Sequence, residues 1–460
     1  MSEINNTLAE LKTASQAVSA ARTRLTYLFD DGKFTELDAY AKDGGELTGV
    51  ITAFGYAEGN PVYAFSQNID VKNGAVSKAS ADKIVKIYDL AAKTGVPVIG
   101  IYDSCGADVS DQTKALKAYG ELLLWASNLS GVVPQIAVVA GVCAGCAAML
   151  AQSADFVVMA KDAQMYVAPN CDIKDHAENA AANGTASLVC EDDKAAVEAA
   201  REILLRLPQN NLSPVPMYEF SEPDAAFSGN AAADAEAVFD AGSVMELNAG
   251  CGKASYTALA SLGGATVGIV ATNKTNDKLD SADCSKIARF VRTCDGFGVP
   301  VVTFVDTEGF KADDASEMQG AVKSMAKLAH AYSEATTIKL SVVTGKAYGP
   351  AYIALAGKGA SSDLSYATPS AVISALDPVT AVEFLEHDKL KGAEDLTAAR
   401  NSLAADYVQN NANAATAAAE GCIDGIIEPS EIRQTLIDSV EIMAGKRISR
   451  LPKKHSNIQL

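Results

Sequence analysis

Histidine is scarce in this chain, with four in 460 residues. His176, His330, His387 and His455 fall in no metal-ligand spacing and no triad pattern, so acid–base chemistry on an imidazole finds no support. A second Cys-x-x-Cys is missing as well. Nine cysteines are scattered along the chain, and only Cys143 and Cys146 lie close together. A zinc site would need distant partners for them, so packing thiols are the expected reading, with a redox or metal role as the alternatives, and no bound metal is expected. No apolar run reaches the roughly 18 residues that span a bilayer. Met1-Ser2-Glu3-Ile4-Asn5-Asn6 has neither the basic start nor the apolar stretch of a secretion signal. Positive charge is in deficit: 38 Lys+Arg stand against 57 Asp+Glu, a net charge of −19, and the only dense basic patch is the tail from Lys446 to Lys454. That balance repels nucleic-acid phosphate and argues against a nucleic-acid partner, while small phosphorylated ligands remain open. An odd set of free thiols without a leader places the chain in the reducing cytoplasm.

What is present is the composition of an acidic globular protein, 48% hydrophobic and 21% charged, long enough for two or three domains. An internal repeat decides the number. Gly95-Val96-Pro97-Val98 recurs as Gly298-Val299-Pro300-Val301, and Asp103 and Gly106 recur as Asp306 and Gly309 at the same offset of 203. Upstream, the segment 28–37 matches 238–247, and downstream Ala144-Gly145 lies opposite Tyr348-Gly349. A nearly constant offset of this size means a duplicated domain, because solenoid periods are only about 20 to 50 residues. The expected domains are residues 1–236 and 237–460, with the Ala-, Asn- and acid-rich stretch 172–236 joining them. Within the first copy the pattern predicts strands at 96–102 and 134–140, a helix at 113–127, and a further helix from Cys143 or Ala144, an α/β arrangement.

The helix openings Gly141-Val142-Cys143-Ala144-Gly145-Cys146 and Lys346-Ala347-Tyr348-Gly349-Pro350-Ala351 are the candidate sites. A helix start offers unpaired N–H groups and a positive dipole end, glycine admits a ligand closely, and two N–H groups aimed at one oxygen stabilise an enolate. Small residues there also serve tight packing, a reading that equivalent placement in both copies weakens. Asp103 and Asp306 close buried strands, and their expected role is to accept backbone hydrogen bonds at the turn, with a catalytic acid as the competing reading.

At these motifs the sequence resembles the carboxyltransferase component of biotin-dependent acyl-CoA carboxylases and decarboxylases. The resemblance runs through Ala21-Arg22-Thr23-Arg24-Leu25, Asp103-Ser104-Cys105-Gly106-Ala107, Tyr119-Gly120-Glu121 and Ser130-Gly131-Val132-Val133-Pro134. It continues through Cys143-Ala144-Gly145, Lys286-Ile287-Ala288-Arg289-Phe290, Lys346-Ala347-Tyr348-Gly349 and the tail Lys453-Lys454-His455. It implies two tandem crotonase-like domains of the ClpP/crotonase superfamily, acyl-CoA bound by the first and biotin by the second. Each site would lie between subunits of a homo-oligomer, a hexamer in this family. Biotin would arrive on a separate biotin carboxyl carrier protein, with a biotin carboxylase or a membrane decarboxylase subunit as further partner, because the chain carries neither a Met-Lys-Met attachment site nor a glycine-rich ATP loop. By position, the N–H groups of Gly145 and Cys146 would hold the thioester enolate and those at 350 and 351 the biotin ureido oxygen. Gly106, Ala107, Ala144, Tyr348, Gly349 and Ile353 would contact substrate.

Four positions depart from the family pattern. Pro350, Cys105 and Cys146 stand for glycines, and Asp108 stands for an arginine. Pro350 has no N–H to donate. These departures motivate an alternative reading, a catalytically weakened paralogue acting as a scaffold or partner subunit.

Overall fold

Unbroken apolar runs mark the central strand of each copy: Val98–Ser104 is buried at every position, and Val301–Thr307 at every position but Asp306. A strand that reads as continuously hydrophobic is one covered on both faces. The computed structural model describes residues 2–168, 173, 175–448 and 451–459. It divides into two units, Met1–Pro216 and Met217–Leu460. In the first, strands Phe34–Leu37, Val50–Ala57, Asn60–Gln67, Val98–Ser104, Gln135–Ala144, Phe156–Ala160 and Leu188–Cys190 lie side by side in chain order, and Gln164–Tyr166 pairs with the upper end of Gln135–Ala144. The first two pairings are antiparallel and the rest parallel. The second unit repeats this order with Met245–Leu247, Tyr256–Leu262, Ala265–Ala271, Val301–Thr307, Lys339–Tyr348, Leu364–Ala367 and Gly425–Ile426, and Val372–Ser374 joins at the corresponding place.

The repeated Gly-Val-Pro-Val has a local cause. Gly95 caps the helix Lys78–Thr94 in the left-handed conformation at φ 66°, and Gly298 has φ 65° just past the helix Ser281–Gly296. Glycine adopts this conformation without the Cβ penalty, and the proline after it commits the chain to the next strand.

Two expectations are corrected. The stretch 172–236 is not a simple connector, because the strand Leu188–Cys190 completes the first sheet and the helix Asp193–Leu205 buries Ala196, Val197, Ala200, Ile203 and Leu204 against it. Those positions follow a helical period that the surrounding polar residues hide. The units also divide at 216/217 and not at 236/237: Tyr218 N–H donates to Gly264 O at 2.9 Å, and the helix Ala231–Val238 packs into the core of the second unit.

Buried thiols and lysines set the alkaline limit of this fold. Burial pushes the Cys143, Cys284 and Cys294 thiols up, Cys284 to about 12, and lowers Lys83 and Lys286 to about 8. Between pH 8 and the ordinary lysine value the folded chain releases lysine protons that the unfolded chain keeps, so these two groups add stability as pH rises. From about pH 9 the unfolded chain loses thiol protons that the folded chain retains, which subtracts about 1.4 kcal/mol per pH unit for each of three groups and outweighs the lysines. Urea midpoints should therefore peak near pH 9 and fall steeply beyond it. Midpoints still rising at pH 11 would contradict this account.

Candidate active site

Each central parallel ladder breaks register at its aspartate, between Tyr102 and Ser104 in the first copy and between Val305 and Thr307 in the second. The carboxylate fills the break. Asp103 Oδ1 accepts the Val142 N–H at 3.1 Å, and Asp306 Oδ1 accepts the Lys346 N–H at 2.8 Å. The adjoining glycines are required by contact, since a Cβ on Gly141 or on Gly345 would fall 2.3 Å from Oδ1 of Asp103 or Asp306. Asp103 is held from behind by the buried Arg24 guanidinium, 2.8 Å from Oδ2, and Arg24 also meets Asp193 at 2.8 Å. These carboxylates are braces for the backbone, as the turn reading expected.

The braced strands end in the same bend. Gly145 has φ 54°, ψ −118° and Gly349 has φ 49°, ψ −123°, a positive-φ conformation that favours glycine. The helices Cys146–Gln152 and Pro350–Leu355 start immediately after, later than the expected 143 or 144. Gly145 N–H donates to Tyr166 O at 3.0 Å and Gly349 N–H to Ser374 O at 2.9 Å. Gly145 is therefore corrected as an enolate donor: its N–H completes the sheet. The N–H groups of Cys146 and Ala147, and of Ala351 and Tyr352, open helices and have no acceptor within them. Pro350 stands at the first helical position, which suits proline because an N–H there has no intrahelical partner.

A second loop reaches each helix start. Gly106 O accepts from Val76 N–H at 2.8 Å and Asp108 N–H donates to Val76 O at 3.0 Å, and Gly309 and Lys311 repeat both bonds with Leu279 at 3.0 and 2.8 Å. The alternation of such a bridge turns the intervening N–H groups, those of Ala107 and Phe310, to the opposite side. A Cβ on Gly106 would lie 3.1 Å from Ala144 O and 3.9 Å from Cys146 N, so this loop touches the helix opening. Gly106 and Cys146 are thus neighbours, and in the second copy Phe310 and Pro350 line one cavity. Phe310 was not among the residues anticipated, although its offset of 203 from Ala107 was available in the repeat.

In the second unit a cavity of about 260 Å³ is lined by Gly309, Phe310, Met325, Tyr348, Gly349 and Pro350. On the other side of the same bend a cavity of about 620 Å³ is lined by Gly349, Pro350, Ile353, Tyr407, Asn411 and Glu420. Tyr348 is pushed up to about 12 by burial, with Asp377 adding to it. Anticipated substrate contacts Tyr348, Gly349 and Ile353 thus gather around Pro350. Cys105 is exposed and Cys146 half-buried at the first opening, whereas Cys143 is buried in the strand. Among the described residues no group of three metal-ligating side chains forms. Asp108 does not stand as a bare negative charge. Lys72 Nζ lies 2.8 Å from it and 2.7 Å from Asp43. Burial opposes ionisation of Asp108, but hydrogen bonds from Lys72 and Ser110 outweigh it and leave its pKa below the usual value.

Tandem crotonase-like α/β units, each with helix-opening N–H groups beside a strand-end loop, define the class of this protein, and such groups are of the kind that can hold a developing oxyanion. Residues 13–458 match the carboxyl transferase domain, and the chain belongs to that family. It is 35% identical over 481 residues to the methylmalonyl-CoA decarboxylase subunit alpha of Propionigenium modestum, covering 96% of this chain and 93% of the relative. It is 34% identical over 480 residues to the propionyl-CoA carboxylase carboxyltransferase subunit of Haloferax mediterranei, covering 96% and 93%. The crystal structure of the hexameric transcarboxylase 12S subunit, with methylmalonyl-CoA and methylmalonic acid bound, superposes with a TM-score of 0.91 at 33% identity and covers 98% of this chain and 94% of that one. The protein is an acyl-CoA carboxyltransferase.

Proposed function

We propose that the chain moves a carboxyl group between biotin on a separate carrier protein and a short-chain acyl-CoA of the propionyl or methylmalonyl type, in the cytoplasm, as a homo-hexamer served by a biotin carboxylase or a membrane decarboxylase subunit. The observation that carries this reading is the identical bend and loop in both copies, which gives one oxyanion site for each of the two carbonyl-bearing reactants. In the first copy the N–H groups of Ala107 and Cys146 hold the thioester oxygen as its α-carbon becomes nucleophilic. In the second, the N–H groups of Phe310 and Ala351 face the ureido oxygen, and the 260 Å³ cavity between Phe310 and Pro350 is of a size for the biotin ring. Biotin supplies the carboxyl group and, once discharged, the base for the α-proton, so the chain needs no histidine or glutamate for that step. Its own work is to hold both oxygens at fixed positions and bring the reactants together. Free thiols among the described cysteines suit a reducing compartment.

The scaffold alternative is not favoured, because both bends and both loop N–H groups are intact and Lys72 compensates Asp108. Purified chain supplied with free biotin should decarboxylate methylmalonyl-CoA or malonyl-CoA, and light scattering should give a mass near six times 47.7 kDa. A monomer without transfer to or from any acetyl-, propionyl- or butyryl-type thioester would reject the enzymatic reading.

A further inference from the structure

The loop that carries Ala107 is bonded on both sides of that residue to one segment, residues 72–76. Cys105 N–H donates to Asn73 O at 3.1 Å, Val76 N–H to Gly106 O at 2.8 Å and Asp108 N–H to Val76 O at 3.0 Å. Three consecutive residues of this segment, Lys72, Asn73 and Gly74, hold positive φ of 51°, 54° and 67°. Gly74 has a steric reason to be glycine, since a Cβ there would fall 2.0 Å from Asp103 O. Lysine gains nothing from this conformation, and a long side chain held in it points to a constraint from its surroundings. What the bend delivers is the ammonium. Lys72 Nζ lies 2.8 Å from Oδ2 of Asp108, a side chain only 6% exposed, and Asp43 holds the ammonium from the other side at 2.7 Å. Asp108 Oδ1 accepts from Ser110, the N–H at 2.8 Å and the hydroxyl at 2.6 Å.

The second copy repeats the pair with its polarity reversed. Lys311 stands at the offset of 203 from Asp108, and its Nζ is 3.6 Å from Oδ2 of Asp280, the neighbour of the bridging Leu279. Each loop therefore meets an opposite charge at the residue after the bridge, but only the first copy puts the anion on the loop. That anion is next to Ala107, whose N–H serves an enolate in the acyl-CoA reading, and an unpaired carboxylate there would repel the charge that develops on the thioester oxygen. We propose that Lys72 is a positioning residue for carboxyl transfer: it acts through Asp108, cancelling that carboxylate's charge so that the loop can serve an anionic transition state. The inference rests on the acyl-CoA reading of the first copy.

Lys72→Met is introduced into the natural full-length chain and into an Asp108→Asn background, and decarboxylation of malonyl-CoA and methylmalonyl-CoA is followed with free biotin. With Asp108 charged, the substitution should lower kcat roughly ten- to a hundredfold and change KM for the thioester less than about threefold, because the repulsion grows as charge develops. In the Asp108→Asn background it should cost less than about threefold, since no carboxylate is left to cancel. Lys72→Arg keeps the positive charge and should recover most of the rate lost in Lys72→Met. Equal losses in the two backgrounds make Lys72 a plain support of the fold, and a loss confined to KM makes it a direct contact for the thioester; either overturns the proposal. If Lys72→Met alone does not assemble by light scattering, the two Asp108→Asn chains still decide, and a difference of about tenfold or more between them overturns it. A natural chain that decarboxylates neither thioester overturns the acyl-CoA reading and the proposal with it.

Discussion

Cys146→Pro should cut the rate of carboxyl transfer roughly 100- to 1,000-fold while leaving the chain folded. The substitution looks severe but is already present in the molecule. Pro350 occupies the corresponding first position of the second helix, after a glycine whose φ 49°, ψ −123° matches the φ 54°, ψ −118° of Gly145 to within a few degrees. The backbone before Cys146 is therefore already shaped to precede a proline, and the N–H removed has no intrahelical partner to lose. What is lost is a donor to the thioester oxygen as negative charge develops on it, and the proline ring stands where that hydrogen was. Such an interaction strengthens in the transition state, so the loss should fall mainly on kcat. Cys146→Gly and Cys146→Ala keep the N–H and should stay within a few-fold of the natural chain. Transfer by the folded Cys146→Pro chain at a rate within threefold of wild type would remove Cys146 from the oxyanion site.

The sheet architecture was legible because the duplication printed it twice. Gly95 and Gly298, Asp103 and Asp306, and Gly145 and Gly349 recur at nearly one offset, and each marks a conformation or a close approach that constrains residue choice. The helix Asp193–Leu205 was hidden because its short apolar face, Ala196, Val197, Ala200, Ile203 and Leu204, lies among charged residues and polar turns. The two helix openings were legible, but the directions of their N–H groups were not. Sequence places Gly145 at the bend, but whether its N–H faces a ligand or a sheet depends on the late strand Gln164–Tyr166, whose Tyr166 carbonyl takes that hydrogen. Lys72 and Asp108 are 36 positions apart and meet only because the turn at Asn73 folds under the loop, where Cys105 N–H donates to Asn73 O at 3.1 Å. No local pattern encodes such a pair.

Pro350→Gly should act in the opposite direction to Cys146→Pro and raise the rate of the biotin half-reaction, by up to about a hundredfold if a missing donor costs its usual amount. The structure narrows what compensates for proline in the natural chain. Gly349 cannot, because its N–H is spent on Ser374 O at 2.9 Å. The N–H groups of Phe310 and Ala351 remain, one on the loop and one a residue further into the helix than the first-copy donor at Cys146. Pro350→Ala separates the two ways a gain could arise. Alanine restores the N–H but keeps a side chain, whereas glycine restores the N–H and also opens the 260 Å³ cavity that Pro350 lines. Similar gains from both variants, measured with free biotin as acceptor, assign the effect to the restored donor. A gain from glycine alone assigns it to space. Either variant should lose up to about 1 kcal/mol of stability through the freer unfolded chain, so a gain in rate cannot come from a more stable fold. If neither variant transfers faster than the natural chain, the ureido oxygen does not sit at this helix start, and the 620 Å³ cavity on the far side of the bend becomes the place to look for it.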